Sequence, residues 1–116
     1  MADSVLRSKS KEFAKNIIFL YRKLKKNGVE SALINQLIRC GTSVGANVCE
    51  AQYAQGTKDF ISKFEIALKE CNESEYWLEL LYETDSLSEM EFKNFQKECM
   101  ELRRMLVSSV TTLKSK

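Results

Sequence analysis

Three carboxylates, Glu50, Glu70 and Glu75, are the residues of this sequence that could gather a divalent cation, because carboxylate oxygens are ligands for such ions. The chain has no histidine. The most common general base is therefore missing, and the Glu-x-x-His pairs of a di-iron helical bundle cannot form. Carboxylates on helices are usually solvated or ion-paired. The sequence therefore predicts a protein that is not an enzyme, with no metal, no cofactor and no small-molecule substrate.

The four cysteines carry no signature of a metal site. Cys40, Cys49, Cys71 and Cys99 lie far apart and form no C-x-x-C pair, and no histidine is available to complete a zinc site. We expect all four to be small hydrophobic side chains of the core in a reducing compartment.

A polar stripe is predicted on the second helix. Arg39, Ser43, Asn47 and Glu50 recur at i, i+4, i+8 and i+11, which places them on one side of a helix. Polar residues also interrupt the apolar pattern of the third helix. Either these two sets meet in a partly buried network, with Arg39 forming a bidentate pair, or both are solvated faces. The predicted network comprises Arg39, Ser43, Asn47, Glu50, Glu70 and Glu75.

Few residues interrupt the helices that must position these groups, since the chain has no proline and four glycines. Apolar spacing of i+3 and i+4 predicts four amphipathic helices, at about residues 8–26, 30–54, 58–83 and 89–114. Asn27-Gly28 ends the first helix, Thr57 is expected to cap the third, and Ser88 with Glu91 predicts a capping box at the fourth. These features predict an all-α fold, a single domain over residues 1–116 formed by an antiparallel up-down four-helix bundle.

Two of the four glycines fall within one stretch of the second helix, "LIRCGTSVGANVCEAQ". Gly41 and Gly45 lie on its predicted buried side, where missing side chains let two backbones approach closely. We expect a Phe or Leu of a facing helix to fill the space, although a ligand pocket is the alternative. The residues predicted to set helix packing are Gly41, Gly45, Phe60, Phe64 and Leu78.

Large apolar residues also lie beside the core stripe of the third helix. Ile66, Trp77 and Leu80 fall partly outside it. They predict either a subunit interface or a wide core-facing surface.

Charge is unevenly distributed along the chain, although the net charge is only +2. Residues 1–30 hold eight Lys or Arg and three acids, whereas residues 57–84 hold three Lys and seven acids. This asymmetry favours neighbouring helices that complement each other over a surface that binds a polyanion. A phosphate backbone could nevertheless follow one basic stripe of the first helix, formed by Arg7, Lys11, Lys15, Arg22 and Lys26.

No apolar run approaches the length of about 18 residues that suggests a membrane span. The first residues, "MADSVLRSKSKEFAKN", lack an apolar signal core. We therefore expect a cytoplasmic protein that does not act at a membrane.

Together, "LIRCGTSVGANVCEAQ" and "KDFISKFEIALKECNESEYWLELL" resemble the bacterial four-helix-bundle proteins of intervening sequences in 23S ribosomal RNA genes. The resemblance extends from about Phe13 to Leu113. It implies a protomer that assembles into a barrel-shaped homopentamer. The family also includes accessory proteins of diversity-generating retroelements, which are basic and bind reverse transcriptase and nucleic acid. The acidic third helix departs from that branch.

The leading prediction for function is a non-enzymatic, self-assembling helical scaffold whose principal partner is a second copy of itself. The alternative is a nucleic-acid-binding accessory protein that uses the basic stripe of the first helix.

Overall fold

Four amphipathic segments account for nearly all of the chain in the computed structural model. They form α1 (Ala2–Lys26), α2 (Ser31–Ala51), α3 (Thr57–Glu83) and α4 (Glu89–Lys114). The structure describes the backbone of residues 2–116 and the side-chain surroundings of residues 4–116. Met1 of the predicted domain lies outside this range. The predicted all-α four-helix bundle is confirmed.

The helix boundaries differ from the predicted ones at two places. The first helix begins at Ala2 and not near Ser8, and its added turns bring Leu6 into the core. The second helix ends at Ala51 and not at Ala54. Thr57 is the first residue of α3, while Gly56 occupies the capping position without a side-chain hydrogen bond. The expectation that Thr57 caps this helix was therefore wrong.

The other helix ends follow the sequence signals. Gly28 adopts a φ of 78°, a left-handed conformation that glycine tolerates, and the amide of Val29 donates to the carbonyl of Leu24. Ser88 accepts from the amide of Glu91, and the Glu91 carboxylate accepts from the amide of Ser88. The predicted capping box is confirmed.

The helices are arranged around a square, with α1 against α2, α2 against α3, α3 against α4, and α4 back against α1. Contacts are sparsest between α1 and α4, and within the described residues the backbones of the diagonal pairs do not approach each other closely. The bundle measures 47 × 22 × 19 Å. Its core is formed by the apolar stripes of the four helices together with Leu87 of the α3–α4 turn, and its largest fully buried side chains are Phe13 and Phe64.

Candidate functional site

The two glycines of α2 form its closest contact with α1. A Cβ atom placed on Gly41 would lie 2.8 Å from Cγ2 of Ile17, and one on Gly45 would lie 3.2 Å from the backbone oxygen of Ser10. The space is therefore occupied by an isoleucine and by backbone, and not by the Phe or Leu that we expected. Bare backbone at these positions lets the two helices approach.

The aromatic members of the predicted packing set lie on α3. Phe64 and Leu78 are buried in the core. Phe60 is half-buried, and its ring lies 4.5 Å from that of Phe64, measured between centroids. These three residues face the interior from the same helix.

Arg39 links α2 to α3 by two ion pairs. Its Nη1 lies 3.3 Å from Oε2 of Glu70, its Nη2 contacts Oε2 of Glu73, and its Nε donates to Gln36. The indole nitrogen of Trp77 donates to the same Glu73 oxygen at 3.2 Å. We call Arg39, Glu70, Glu73 and Trp77 the Arg39 cluster.

Glu73 is held as a carboxylate by this cluster. Partial burial raises its pKa, but the hydrogen bonds from Trp77 and Arg39 outweigh that effect and leave the pKa below its ordinary value. The Arg39 side chain remains half-exposed. The cluster is therefore a solvent-facing ion-pair network that fastens α2 to α3.

The other members of the predicted network do not join this cluster. Ser43 donates to the backbone oxygen of Arg39, and Asn47 donates to the backbone oxygen of Ser43. Both side chains therefore form their hydrogen bonds within α2. Glu50 is exposed and lies 3.9 Å from Lys63. Glu75 faces α4, where its Oε1 lies 2.6 Å from Nη1 of Arg103. Of the predicted network the structure therefore shows the pair of Arg39 with Glu70, and the six residues do not form one network.

Glu73, in the Arg39 cluster, and Arg103, the partner of Glu75, were not predicted from the sequence. Glu73 stands three residues after Glu70 and four before Trp77, spacings that put neighbouring side chains on one helix face. That spacing was the available signal for Glu73. Nothing in the sequence pairs Arg103 with Glu75, because the contact joins two helices.

The three predicted interface residues differ in their surroundings. Ile66 is 39% exposed. Trp77 is half-buried against the core, and its ring makes an edge contact with Tyr76 at 5.1 Å between centroids. Leu80 is half-buried, and Tyr76 is 57% exposed. An outward apolar surface therefore exists on α3, although Trp77 belongs partly to the core.

All five residues of the basic stripe on α1 are exposed. Arg7 donates to the Gln52 side chain, and Lys15 lies 3.8 Å from Glu12 on the same helix. Within the described residues, none of the five pairs with a carboxylate of another helix. The stripe is Arg7, Lys11, Lys15, Arg22 and Lys26.

Ion pairs between helices use other cations of α1. Lys9 lies 2.8 Å from Glu101, and Lys23 lies 2.6 Å from Glu91, both on α4. The acidic residues of α3 form ion pairs with cations of α2 and α4. Opposite charges therefore pair between neighbouring helices. They do not pair basic α1 with acidic α3, because these two helices lie diagonally opposite each other.

The cysteines are not all in the core. Cys40, Cys71 and Cys99 are buried, whereas Cys49 is exposed on α2. Burial raises the pKa of the Cys40 thiol to about 11, against a hydrogen bond from Ser74 that lowers it. The expectation of four core cysteines was wrong for Cys49.

Catalytic or metal-binding groups do not converge in the part of the chain that the structure describes. No cluster of three His, Cys, Asp or Glu side chains could hold a metal ion there, and Glu50, Glu70 and Glu75 each pair with a different cation. A surface hollow of about 790 Å³ lies where Ala51, Phe60 and Leu113 approach at one end of the bundle. No ionisable residue lines it.

None of the helices described combines the length and the apolar composition that a bilayer span requires. The molecule is thus an all-α, up-down four-helix bundle with ion pairs on its surface and a glycine contact inside.

The chain belongs to the family of 23S rRNA-intervening sequence proteins, since the model of that family matches residues 2–108. It is also similar to a solved structure, a protein with unknown function from the S23 ribosomal protein family of Bacteroides thetaiotaomicron. The two are 42% identical and superimpose with a TM-score of 0.93, over 96% of this chain and 99% of the other. No curated protein matches the chain significantly.

Proposed function

We propose that this protein is a non-enzymatic scaffold that assembles with copies of itself in the cytoplasm. The observation that carries the proposal is the apolar surface on α3, where Ile66 is 39% and Tyr76 57% exposed and Leu80 is half-buried. Exposed apolar surface of this kind is typical of interaction sites. The family resemblance supports a pentamer as the assembled form.

A non-enzymatic role agrees with the chemistry of the surface. The carboxylates that could have served a reaction are engaged in ion pairs with Arg39, Lys63 and Arg103. The hollow at the end of the bundle offers no acid, base or nucleophilic thiol. The polar side chains thus fasten helices, and the outward apolar side chains are left for a partner.

Sedimentation equilibrium of the full chain at micromolar concentration tests the proposal. We expect a mass several times that of the 13.4 kDa chain, and exchange of Ile66 and Tyr76 for serine should lower it. Met90→Ser is the matched control, because Met90 is 74% exposed and lies on a different helix, α4. A wild-type protein that sediments as a monomer would exclude self-assembly.

The basic stripe favours a second candidate function, the binding of RNA or DNA as an accessory protein. Its five cations lie on one exposed face and pair with no carboxylate of another helix in the described chain. Exposed cations on one face that no other helix engages are suited to phosphate contacts, which release counterions on binding. Such an accessory protein could act together with a reverse transcriptase.

Retention on a nucleic-acid column at increasing salt distinguishes this second function. Binding through the stripe should weaken steeply with salt, and the Lys11→Glu, Lys15→Glu, Arg22→Glu variant should lose it. The same number of reversals at Lys93, Lys97 and Arg104, exposed cations of α4, provides the control. Equal retention of both variants would exclude a role for the stripe.

A further inference from the structure

The bundle has two layers of opposite charge. The sequence segment of α1 and α2, residues 2–51, holds nine Lys or Arg and four acids, whereas residues 52–116 hold nine Lys or Arg and twelve acids. Because α1 and α3 are diagonal in the square, the basic face of α1 and the acidic face of α3 point away from each other. The charges of these two faces therefore cannot pair with each other within one molecule.

The basic layer carries a groove that could receive a helix. It lies between α1 and α2, has a volume of about 600 Å³ and is lined largely by small residues, among them Ala14, Gly45 and Ala46. The two helices approach closely at Gly45, where an added Cβ would lie 3.2 Å from the backbone oxygen of Ser10. Arg7 and Lys11, one helical turn apart, also line it.

The acidic layer carries a matching ridge. Tyr76, Glu79 and Glu83 recur at i, i+3 and i+7, which places them on one outward face of α3. All three are exposed, and neither carboxylate forms an ion pair within the described residues. Glu79 and Glu83 are separated by one helical turn, as Arg7 and Lys11 are.

We propose that the α3 ridge of one copy, Tyr76, Glu79 and Glu83, docks against the α1–α2 groove of a second copy, with Arg7 and Lys11 facing the two carboxylates. This inference rests on the proposed self-assembly and specifies its contact. A contact between two basic faces or two acidic faces would be repulsive, so charge favours a head-to-tail arrangement over a two-fold symmetric one. The second copy is the occupant because its exposed acids supply the complement to these cations.

Charge reversal and compensation test the contact in solution. The Arg7→Glu, Lys11→Glu variant places two acids in the groove, where they would face the acidic ridge. The Glu79→Lys, Glu83→Lys variant places two lysines on the ridge, where they would face the basic groove. Each alone should self-associate about tenfold or more weakly than wild type, as measured by sedimentation. The single chain that carries all four exchanges should assemble again. In a one-to-one mixture of the two double variants, unlike chains should associate again, although a ring with an odd number of subunits would keep one mismatched contact.

The matched control for Arg7→Glu, Lys11→Glu is Lys97→Glu, Arg104→Glu, which changes the net charge by the same amount at two exposed residues of α4. It should assemble as wild type does. A salt titration of the wild-type protein provides a measurement that needs no variant, because a contact between opposite charges weakens as salt rises.

The outcomes separate the two proposals. A monomeric wild type would exclude self-assembly itself. An oligomeric wild type whose mass is unaffected by salt and by both double reversals would overturn only the docking of these two faces. Failure of the mixture and of the fourfold variant to assemble would also overturn it, since loss without compensation would place Arg7 and Lys11 against another ligand, such as nucleic acid.

Discussion

Ile17 of α1 lies directly over Gly41 of α2, so that a Cβ atom at residue 41 would fall 2.8 Å from Cγ2 and 2.9 Å from Cγ1 of the isoleucine. Real Cβ atoms do not approach another heavy atom so closely, and these isoleucine atoms are close to the backbone. The contact therefore fixes the separation of the two helices.

The Gly41→Ala exchange should destabilise the protein by about 1–3 kcal/mol, because overpacking outweighs the better helix propensity of alanine. Chemical denaturation followed by circular dichroism measures this change. Gly45→Ala is the comparison, since its Cβ would lie 3.2 Å from the nearest atom, and it should cost less. Adding Ile17→Ala should relieve part of the Gly41→Ala penalty, and strictly additive effects would contradict the contact.

Trp77 should report the protonation of Glu73. The chain has one tryptophan, and its indole donates to the Glu73 carboxylate. Because the pKa of Glu73 is below its ordinary value, this carboxylate contributes stability above the ordinary carboxyl pKa. That contribution is lost as the pH falls through the lowered value.

A pH titration of tryptophan fluorescence should therefore show a transition below pH 4.5, the ordinary value for this group. Glu73→Gln should remove the transition. Glu65→Gln, on the same helix but paired with Lys114, should retain it. A transition that survives in Glu73→Gln would show that another group causes it.

Glu98 should make the protein less stable as the pH rises. Burial raises the pKa of this carboxyl, and Glu12 and Glu101 add to the effect, while a hydrogen bond from Asn16 opposes it. The folded state therefore holds the proton more tightly than the unfolded chain. The free energy of unfolding falls as the pH rises from the ordinary value through the raised one.

Glu98→Gln should consequently raise the thermal midpoint at neutral pH, and the difference from wild type should vanish in acid. Thermal unfolding at several pH values measures both effects. Glu101→Gln should behave oppositely, because Lys9 lowers the pKa of Glu101. A Glu98→Gln variant that is less stable at neutral pH would contradict the sign.

Thiol reactivity should distinguish Cys49 from the other cysteines. Cys49 is exposed, whereas the other three are buried, and the Cys40 thiol has a pKa of about 11. A disulfide reagent should modify one thiol per native chain rapidly and four in denaturant. Cys49→Ser should remove the rapid reaction, and Cys40→Ser should leave it; a rapid reaction in Cys49→Ser would contradict this assignment.

Helix identity, core stripes and the Ser88–Glu91 capping box were predictable because each depends on residues close in sequence. Contacts between helices were less predictable from the sequence. Glu70 and Glu75, five residues apart, differ by about 140° around the helix, which explains why one faces Arg39 and the other Arg103. Cys49 follows buried Val48 by one position, a rotation of about 100° that takes it to the surface.

The partner of the glycines was not predictable for a related reason. Periodicity places Gly41 and Gly45 on a face but does not determine the height at which α1 passes them. That height brings Ile17 and the backbone of Ser10 to these positions. The start of α1 was also missed. Ser8 is of a residue type that favours the cap position before a helix, but the helix runs through it from Ala2.

The sparse packing between α1 and α4 has a consequence for how the chain folds. Most packing joins helices that follow one another in sequence, so three helical hairpins can form before the two ends of the chain meet. Proteins dominated by such local contacts fold within about microseconds to milliseconds. We expect α1 and α4 to associate last, and amides of these outer helices to exchange with solvent sooner than those of α2 and α3.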